Sequence, residues 1–167
     1  KIYAFDLSPV AIDLLRNEDR YKTSDGRIEA HVWDITKPSP IDTLQSSLSV
    51  NADVTCLLFC LSAIPPEHHQ AALLNVVSTL REGSGVLLFR DYGRYDEAQM
   101  KLASQRQKEV SSNFYIKHDG TKCYYFVLEE LAGLVERSGL AVVELAYVRK
   151  VFRNRADRTS RRRVWIQ

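Results

Sequence analysis

The sequence predicts an α/β fold whose Rossmann-like sheet is mostly parallel and carries an antiparallel pair of C-terminal strands. Short apolar runs alternate with helical patterns over residues 1–93, and the β-rich segments 141–151 and 163–166 end the chain. Strands that alternate with helices are typical of a wound parallel sheet with right-handed crossovers. Two late strands joined by a loop favour an antiparallel pair at the edge of that sheet.

The first half of the chain shows the alternation of strands and helices most clearly. Ser8 and Pro9 favour a helix start, because serine is a good N-cap and proline suits the first helical position. Gly83 is expected to end a second helix, since glycine adopts the left-handed conformation that follows many helices. The predicted strands are 1–5, 28–33, 53–61 and 86–89, and the predicted helices are 10–16, 67–81 and 128–138.

The segment after the fourth strand lacks the apolar pattern of the core strands and helices. Residues 95–112 are polar and compatible with a helix. Asp119-Gly120 lies between two aromatic-rich runs within residues 113–126, which is a strong hairpin signal. We therefore expect residues 94–126 to form an insertion and a hairpin over the active site.

Length and composition favour a single domain over residues 1–167. The 167-residue chain can bury a sizeable core, has a net charge of +2, and lacks an apolar run near the roughly 20 residues that span a bilayer. Its three cysteines lack metal-ligand spacing, so we expect no metal site and a reducing compartment. We expect a cytoplasmic protein, with nuclear and organellar locations left open because the chain starts at Lys1 without a methionine.

The polar residues Arg90, Asp91 and Tyr92 directly follow the buried strand 86–89, and Gly93 closes the turn. Ligands of open α/β sheets bind just beyond the carboxyl ends of the strands. These three side chains are therefore candidates for catalysis. The alternative is that Arg90 and Asp91 only brace a loop.

Two further acids end the first two strands. A carboxylate at the position of Asp6 can accept two hydrogen bonds from a ribose diol in nucleotide-binding sheets. Asp34 follows the second strand, where it can meet an adenine edge while Ile35 packs on the ring. The glycine-rich turn that binds phosphates in such sheets is absent. We therefore expect the first βα unit to be missing, which makes the domain N-terminally incomplete.

Four sequence blocks resemble a known family. They are Tyr-Ala-Phe-Asp-Leu-Ser-Pro at 3–9, Leu-Leu-Phe-Cys-Leu-Ser-Ala at 57–63, Leu-Phe-Arg-Asp-Tyr-Gly at 88–93 and Asn-Phe-Tyr-Ile-Lys-His-Asp-Gly-Thr at 113–121. Together they resemble the tRNA 3-methylcytidine methyltransferases, which are class I S-adenosylmethionine-dependent enzymes. The first two blocks fit many class I methyltransferases, whereas the last two, in this order, are specific.

The resemblance implies a class I methyltransferase sheet, S-adenosylmethionine as the cofactor, and N3 of cytidine in the tRNA anticodon loop as the methyl acceptor. Asp6 would bind the ribose, and Asp34 with Ile35 would hold the adenine. Leu58 and Leu61 would line the pocket from the middle strand. The implied partners are tRNA and, for some members, an aminoacyl-tRNA synthetase or another helper protein, with no membrane involved.

The resemblance also implies that the 88–93 block and the hairpin face the target nucleotide, with Asp91, Arg90 and Tyr92 as the catalytic set. Neutral cytosine has a lone pair on N3, so catalysis is mainly alignment of the reacting atoms. Asp91 is the candidate to stabilise the cationic methylated ring or to accept from the amino group. The expected substrate contacts are Tyr95, Phe114, Tyr115, Lys117, Asp119, Thr121, Arg161, Arg162 and Arg163.

Two features of these substrate contacts have competing interpretations. The aromatic side chains could stack on unpaired bases, as RNA recognition requires, or pack in the core, and Phe114 fits both. The arginines crowd into one loop between Arg153 and Arg163, which suits phosphate binding but also fits a solvated surface. Lys117 stands where arginine is expected, so a phosphate contact there would be a single point charge.

Two other functions fit parts of the pattern. A non-catalytic, methyltransferase-like RNA-binding module or partner subunit would explain the absent glycine-rich turn. A nicotinamide oxidoreductase would also use an acid after its second strand. The late antiparallel strands and the Arg-Asp-Tyr block argue against the oxidoreductase.

Overall fold

The computed structural model describes residues 1–38, 51–154, 156 and 158–167. The chain forms two compact units, Lys1–Ser49 and Val50–Gln167, and each contains parallel strands and helices. The α/β class predicted from the sequence is therefore confirmed, while the single domain over 1–167 stays a prediction. In the described part of the chain, no helix has the length and apolarity that crossing a membrane requires.

The first unit is a strand-helix-strand motif. Strands β1 (Ile2–Asp6) and β2 (Ile28–Val32) pair in parallel, with Ile2 opposite Ile28 and Asp6 opposite Val32. They are connected by helices α1 (Pro9–Asn17) and α2 (Asp19–Lys22). Parallel neighbours need such a crossover, because a tight turn can join only antiparallel strands.

Helix α1 begins where the sequence predicts. The Ser8 hydroxyl accepts a hydrogen bond from the Ala11 amide at 3.3 Å, and Pro9 occupies the first helical turn. Ile12 is the fully buried residue of the helix, and the Arg16 guanidinium donates to the Ala30 carbonyl oxygen at 2.6 Å. The helix is thus attached to β2 by one apolar and one polar contact.

The second unit contains a four-stranded mixed sheet in the order β3-β4-β9-β8. β3 and β4 are parallel, whereas β9 is antiparallel to both of its neighbours. The antiparallel C-terminal pair predicted from the sequence is therefore present. The four strands are β3 (Val54–Leu58), β4 (Val86–Tyr92), β8 (Tyr147–Asn154) and β9 (Thr159–Ile166).

Helices α3 (His69–Val77) and α5 (Leu128–Arg137) of the second unit pack on each other. Leu73 and Leu131 are fully buried, one from each helix, and short 3-10 turns precede α3. Gly139 follows the end of α5, and its φ of +87° is accessible to glycine without strain.

The segment expected to be an insertion forms α4 (Glu97–Ala103) and a separate three-stranded antiparallel sheet in the order β5-β6-β7. Its strands are β5 (Glu109–Ser111), β6 (Phe114–Ile116) and β7 (Lys122–Tyr124). The β6–β7 hairpin turns at Asp119-Gly120, as the sequence predicts. Gly120 takes a φ of +81° in this turn.

Several boundaries differ from the predictions. The helix expected over 67–81 ends at Val77, well before Gly83, and the strand expected over 53–61 ends at Leu58. Three further differences depend on pairing between distant segments. β4 continues through Tyr92, since Asp91 and Tyr92 pair with Ile166 and Trp165 of β9. Residues 141–146 are not in a strand, and β8 begins only at Tyr147. The expected arginine-rich loop is largely the β8–β9 hairpin itself, while Arg155 lies outside the described residues.

Candidate functional site

The two acids of the first unit lie at one edge of the β1–β2 pair, as predicted. Asp6 ends β1, and its carbonyl oxygen accepts from the Trp33 amide at 2.9 Å, which places Asp34 one residue further along that edge. The Asp6 side chain is exposed, and its Oδ1 accepts from the Ser8 amide at 2.8 Å. An exposed carboxylate at a strand end is suited to accept hydrogen bonds from a diol.

Asp34 is more strongly engaged by its own turn. Its Oδ1 accepts from the Thr36 hydroxyl at 2.7 Å and from the Thr36 amide at 3.1 Å, and Lys37 Nζ lies 3.4 Å from Oδ2. The Thr36 hydroxyl, and then the Thr36 amide and Lys37, hold the pKa of Asp34 below its usual range. Asp34 thus fixes the turn that carries the half-buried Ile35, and the expected adenine contact of both residues stays a prediction.

The two leucines expected to line a pocket have different surroundings. Leu58 ends β3 and exposes more than half of its side chain, so it can contact a ligand. Leu61 is fully buried, because it begins a 3-10 turn (Leu61–Ala63) that packs under the strands β7 and β4. Leu61 is thus a core residue in the described chain, and its expected place in a cofactor pocket stays a prediction.

Asp91 is a buried carboxylate held by backbone amides. It is 0 % exposed, its Oδ2 accepts from the Ser62 amide at 2.9 Å, and its Oδ1 accepts from the Tyr92 amide at 2.8 Å. Burial raises its pKa above the usual range of aspartate. Asp91 therefore ties β4 to the 3-10 turn after β3. Its expected direct contact with a base stays a prediction, and the contacts described are those of a positioning residue.

Arg90 does not brace Asp91, because successive residues of a strand point to opposite faces. Its guanidinium donates from Nε to Gln167 Oε1 at 2.9 Å and lies 5.6 Å from the centre of the Trp165 ring. Tyr92 lies on the same side of β4 as Arg90. The cationic groups of Lys117 and Arg163 are each 5.2 Å from the centre of its ring.

Asp96 explains why Arg163 is held in place. Asp96 is fully buried, and its Oδ1 caps α4 by accepting from the Ala98 amide at 2.8 Å. Its Oδ2 accepts from Arg163 Nε at 2.8 Å and from the Val164 amide at 2.9 Å. Arg163 is therefore ion-paired with a buried carboxylate, unlike Arg161 and Arg162, and its expected contact with the substrate stays a prediction. Arg161 and Arg162 remain exposed.

The hairpin residues expected to meet the substrate build the turn of the β6–β7 hairpin. Asp119 Oδ1 accepts from the Thr121 hydroxyl at 2.6 Å and from the Thr121 amide at 3.0 Å. Lys117, half-buried, closes the turn through its amide, which donates to the Thr121 carbonyl oxygen at 2.8 Å. Beside the hairpin, a groove of about 490 Å³ runs along α4 and is lined by Lys101, Leu102, Lys117, His118 and Asp119.

The aromatic candidates separate into exposed and buried rings. Tyr95 is strongly exposed and has a φ of +66°, which is unusual for a residue with a side chain. Phe114 and Tyr115 are only 2 % and 4 % exposed, because both faces of β6 are covered by neighbouring elements of the unit. This burial favours the core-packing interpretation of Phe114 and Tyr115, and a stacking role for either ring stays a prediction.

Three aromatic residues next to this region were missed by the sequence argument: Phe59, Phe152 and Trp165. Phe59 follows β3 and contacts both Tyr92 and Trp165, with ring centres 5.1 and 5.8 Å apart. For Phe59, the signal in the sequence is an aromatic residue at the end of an apolar run. Such a run predicts a buried strand, because nothing local indicates which face of β3 stays open.

The identity of the fold follows from comparison with known proteins. The methyltransferase domain family matches residues 1–145 of the chain. The chain belongs to this family. The alternative of a nicotinamide oxidoreductase is thereby set aside, and the class I methyltransferase sheet expected from the sequence is confirmed.

Several relatives of the chain agree with this assignment. The chain is 39 % identical over 168 residues to tRNA N(3)-methylcytidine methyltransferase Mettl2 of Drosophila melanogaster, covering 100 % of this chain and 49 % of that protein. It is 38 % identical to tRNA N(3)-cytidine methyltransferase METTL2 of Gallus gallus over 99 % of this chain and 43 % of the relative. It is 32 % identical to O-methyltransferase 3 of Dictyostelium discoideum, over 99 % of this chain and 37 % of the relative.

A SAM-dependent methyltransferase of Anabaena variabilis shows the same fold in a crystal structure. It superposes with a TM-score of 0.70 at 10 % sequence identity, over 99 % of this chain and 65 % of the other. At this identity the likeness concerns the fold alone. The chain spans about half or less of the length of the curated relatives that it matches.

Proposed function

We propose that the protein containing this chain is an S-adenosylmethionine-dependent methyltransferase that acts on N3 of cytidine in the anticodon loop of tRNA. The observation that carries the proposal is the 39 % identity to the Drosophila melanogaster protein named for this reaction, which extends over the whole chain. The Arg-Asp-Tyr block and the Asp-Gly-Thr hairpin lie within that matched length. Both occur in one unit, where Lys117 contacts the Tyr92 ring.

S-adenosylmethionine fits the residues of the first unit. Asp6 is exposed at the end of β1 and can accept from ribose hydroxyls, while its link to the Ser8 amide fixes the orientation of the carboxylate. Asp34 and Ile35 lie at the same edge and would contact the adenine. When bound, the cofactor supplies an electrophilic methyl group.

The residues of the second unit would present the cytosine. N3 of neutral cytosine is already a nucleophile, so the protein has to orient the ring and exclude competing poses. Tyr92 and Tyr95 offer the partly exposed aromatic rings for this purpose. Asp91 acts as a positioning residue, because its hydrogen bonds to the Ser62 and Tyr92 amides hold the 3-10 turn and the backbone at Tyr92.

The reaction itself gives the first prediction. The full-length protein, incubated with S-adenosylmethionine and unmodified tRNA, is expected to form 3-methylcytidine in the anticodon loop, detected by mass spectrometry of the digested nucleosides. A tRNA with uridine at the target position serves as the matched control. Methyl transfer only to a hydroxyl group would contradict the proposal, and would agree with the relative named as an O-methyltransferase. No transfer at all would favour the non-catalytic module.

Asp6→Ala gives the second prediction. The substitution removes an acceptor for ribose hydroxyls, and hydrogen bonds to charged groups contribute about 1.5–3 kcal/mol. The affinity of the full-length protein for S-adenosylhomocysteine, measured by calorimetry, should therefore fall at least about tenfold. Asp13→Ala, which changes another exposed aspartate of the same unit, should leave the affinity unchanged. Equal affinities for the two variants would remove the ribose role of Asp6.

We further propose tRNA as the partner, which the names of the relatives support. A cytoplasmic site of action is proposed as well, in line with the reducing compartment expected from the cysteines. A helper protein, such as an aminoacyl-tRNA synthetase, is proposed from the resemblance to the tRNA methyltransferases. Its requirement is tested by the assay above, run with purified protein alone and again with a cell extract added.

A further inference from the structure

One face of the β4–β9–β8 sheet combines aromatic rings with cations. Residues directly opposite each other in an antiparallel pair share a face, and alternate residues of a strand do so as well. Phe152 lies opposite Arg161, and Trp165 lies opposite both Val148 and Tyr92. We call this surface the aromatic face; its members include Arg90, Tyr92, Lys150, Phe152, Arg161 and Trp165, together with Val148 and the ion-paired Arg163, and Phe59 packs beside them.

The rings of this face form a continuous row. Trp165 is in the middle, with ring centres 5.8 Å from Phe59 and 6.0 Å from Phe152. Phe59 and Phe152 expose 40 % and 51 % of their surface, which is a large fraction for phenylalanine. Exposed rings at these spacings can stack on successive flat ligands, because every ring presents a π-face.

Two details of the row indicate a binding surface. Phe59 has a φ of +50°, a strained conformation for a bulky residue, and such strain is concentrated at functional sites. The indole Nε1 of Trp165 is buried and has no hydrogen-bond acceptor among the described residues. A buried donor of this kind is satisfied when a ligand supplies an acceptor.

Cations border the rings at the positions where a phosphate chain would run. The Arg90 guanidinium lies over the Trp165 ring, at 5.6 Å from its centre. Lys150 and Arg161 are exposed and project from the same face as Phe152. The opposite face of the β8–β9 hairpin offers Val151 and Arg149, and there the Arg149 guanidinium lies 5.2 Å from the centre of the Tyr147 ring.

We propose that the aromatic face binds unpaired nucleotides of an RNA, with bases stacked on Phe59, Trp165 and Phe152 and phosphates beside Arg90, Lys150 and Arg161. This inference rests on the proposed function and specifies how its RNA substrate is held. An unpaired strand is required, since a duplex encloses the base faces that the rings would contact. The three cations favour a polyanion, and the row of rings favours a polyanion whose flat bases are exposed.

The test compares neighbouring residues on opposite faces of the same hairpin in the full-length protein. Phe152→Ala should weaken binding of a short single-stranded oligouridylate by about fivefold or more, because each stacked base contributes that much to affinity. Val151→Ala, an equally exposed position on the other face, should bind as the wild type does. Equal affinities for the two variants would overturn the proposal.

Charge is tested in the same way. Arg161→Gln should lower the slope of log affinity against log salt by roughly 0.7, the value for one lost contact to single-stranded nucleic acid. Arg149→Gln, on the opposite face, should leave the slope unchanged. A change of equal size in both variants would indicate a diffuse basic surface and contradict the proposed face.

Fluorescence separates this inference from the methylation proposal. Oligouridylate should quench the tryptophan emission of the wild type and of Trp33→Phe, and quench Trp165→Phe less, whereas duplex RNA should quench none of them. Quenching that persists in full in Trp165→Phe would overturn the inference. If tRNA is methylated but the face variants bind as the wild type does, only the inference fails. If oligouridylate binds as expected but no RNA is methylated, only the proposed function fails.

Discussion

Asp96→Ala is expected to destabilise the second unit by about 3–5 kcal/mol, the usual cost of breaking a buried ion pair by removing one partner. The fully buried carboxylate caps α4, pairs with Arg163 and accepts from the Val164 amide of β9. Its loss leaves a guanidinium and two backbone amides without their acceptor. Thermal unfolding of the protein should shift downward by on the order of 10 °C.

Two neighbouring substitutions show which of these contacts dominates. Asp96→Asn retains a good N-cap side chain but presents amide hydrogens to Arg163, so it should remain strongly destabilised if the ion pair dominates. Glu97→Ala, at the adjacent and partly exposed acid that pairs with Lys101 and accepts from the Arg162 amide, should destabilise the protein much less than Asp96→Ala does. A near wild-type melting temperature for Asp96→Asn would show that Asp96 acts only as a helix cap.

Asp91→Asn is expected to lower stability by about 1–3 kcal/mol, because the new amide group faces a backbone N–H that needs an acceptor. Both carboxylate oxygens accept backbone amides in the wild type, so one of the Ser62 and Tyr92 bonds is lost. Chemical denaturation gives the difference. Asp53→Asn, at an exposed aspartate paired with Arg81, is the control and should change stability by less than about 1 kcal/mol.

The pH dependence of the same variant provides an independent check. Because burial raises the pKa of Asp91, the folded state binds its proton more tightly than the unfolded state does. The contribution of this carboxyl group to the free energy of unfolding is therefore complete at low pH, and it is lost as the pH rises through the folded-state pKa. The stability of the wild type relative to Asp91→Asn should decline over that interval. A difference that increases with pH would contradict the raised pKa.

Catalysis separates the two interpretations of Asp91. A positioning role predicts that Asp91→Asn loses stability together with RNA affinity, since Tyr92 and the 3-10 turn are less well held. A direct contact with the developing cationic ring predicts a slower single-turnover methyl transfer in a well-folded variant that binds RNA normally. The burial of Asp91 and its two amide bonds favour the first outcome.

Local sequence signals predicted the elements that depend on neighbouring residues. Ser8 and Pro9 start α1, Gly139 follows the end of α5, and Asp119-Gly120 forms the β6–β7 turn. Each of these signals acts over a few residues through capping or a permitted backbone angle, so the sequence alone reveals it. The acids at the strand ends were found for the same reason, because a strand and the residue after it are contiguous.

Side-chain direction and pairing were decided by the tertiary structure. The sequence placed Asp91, Phe114 and Tyr115 in one candidate site by their order, but burial moves all three into the interior. Arg161, Arg162 and Arg163 look alike in the sequence, yet Asp96 lies 67 residues away from Arg163 along the chain and ion-pairs with that residue. The faces of a strand become distinct only when its partners cover one of them. The sequence by itself thus determined the α/β order and the chemistry available, and long-range packing decided which side chains a ligand can reach.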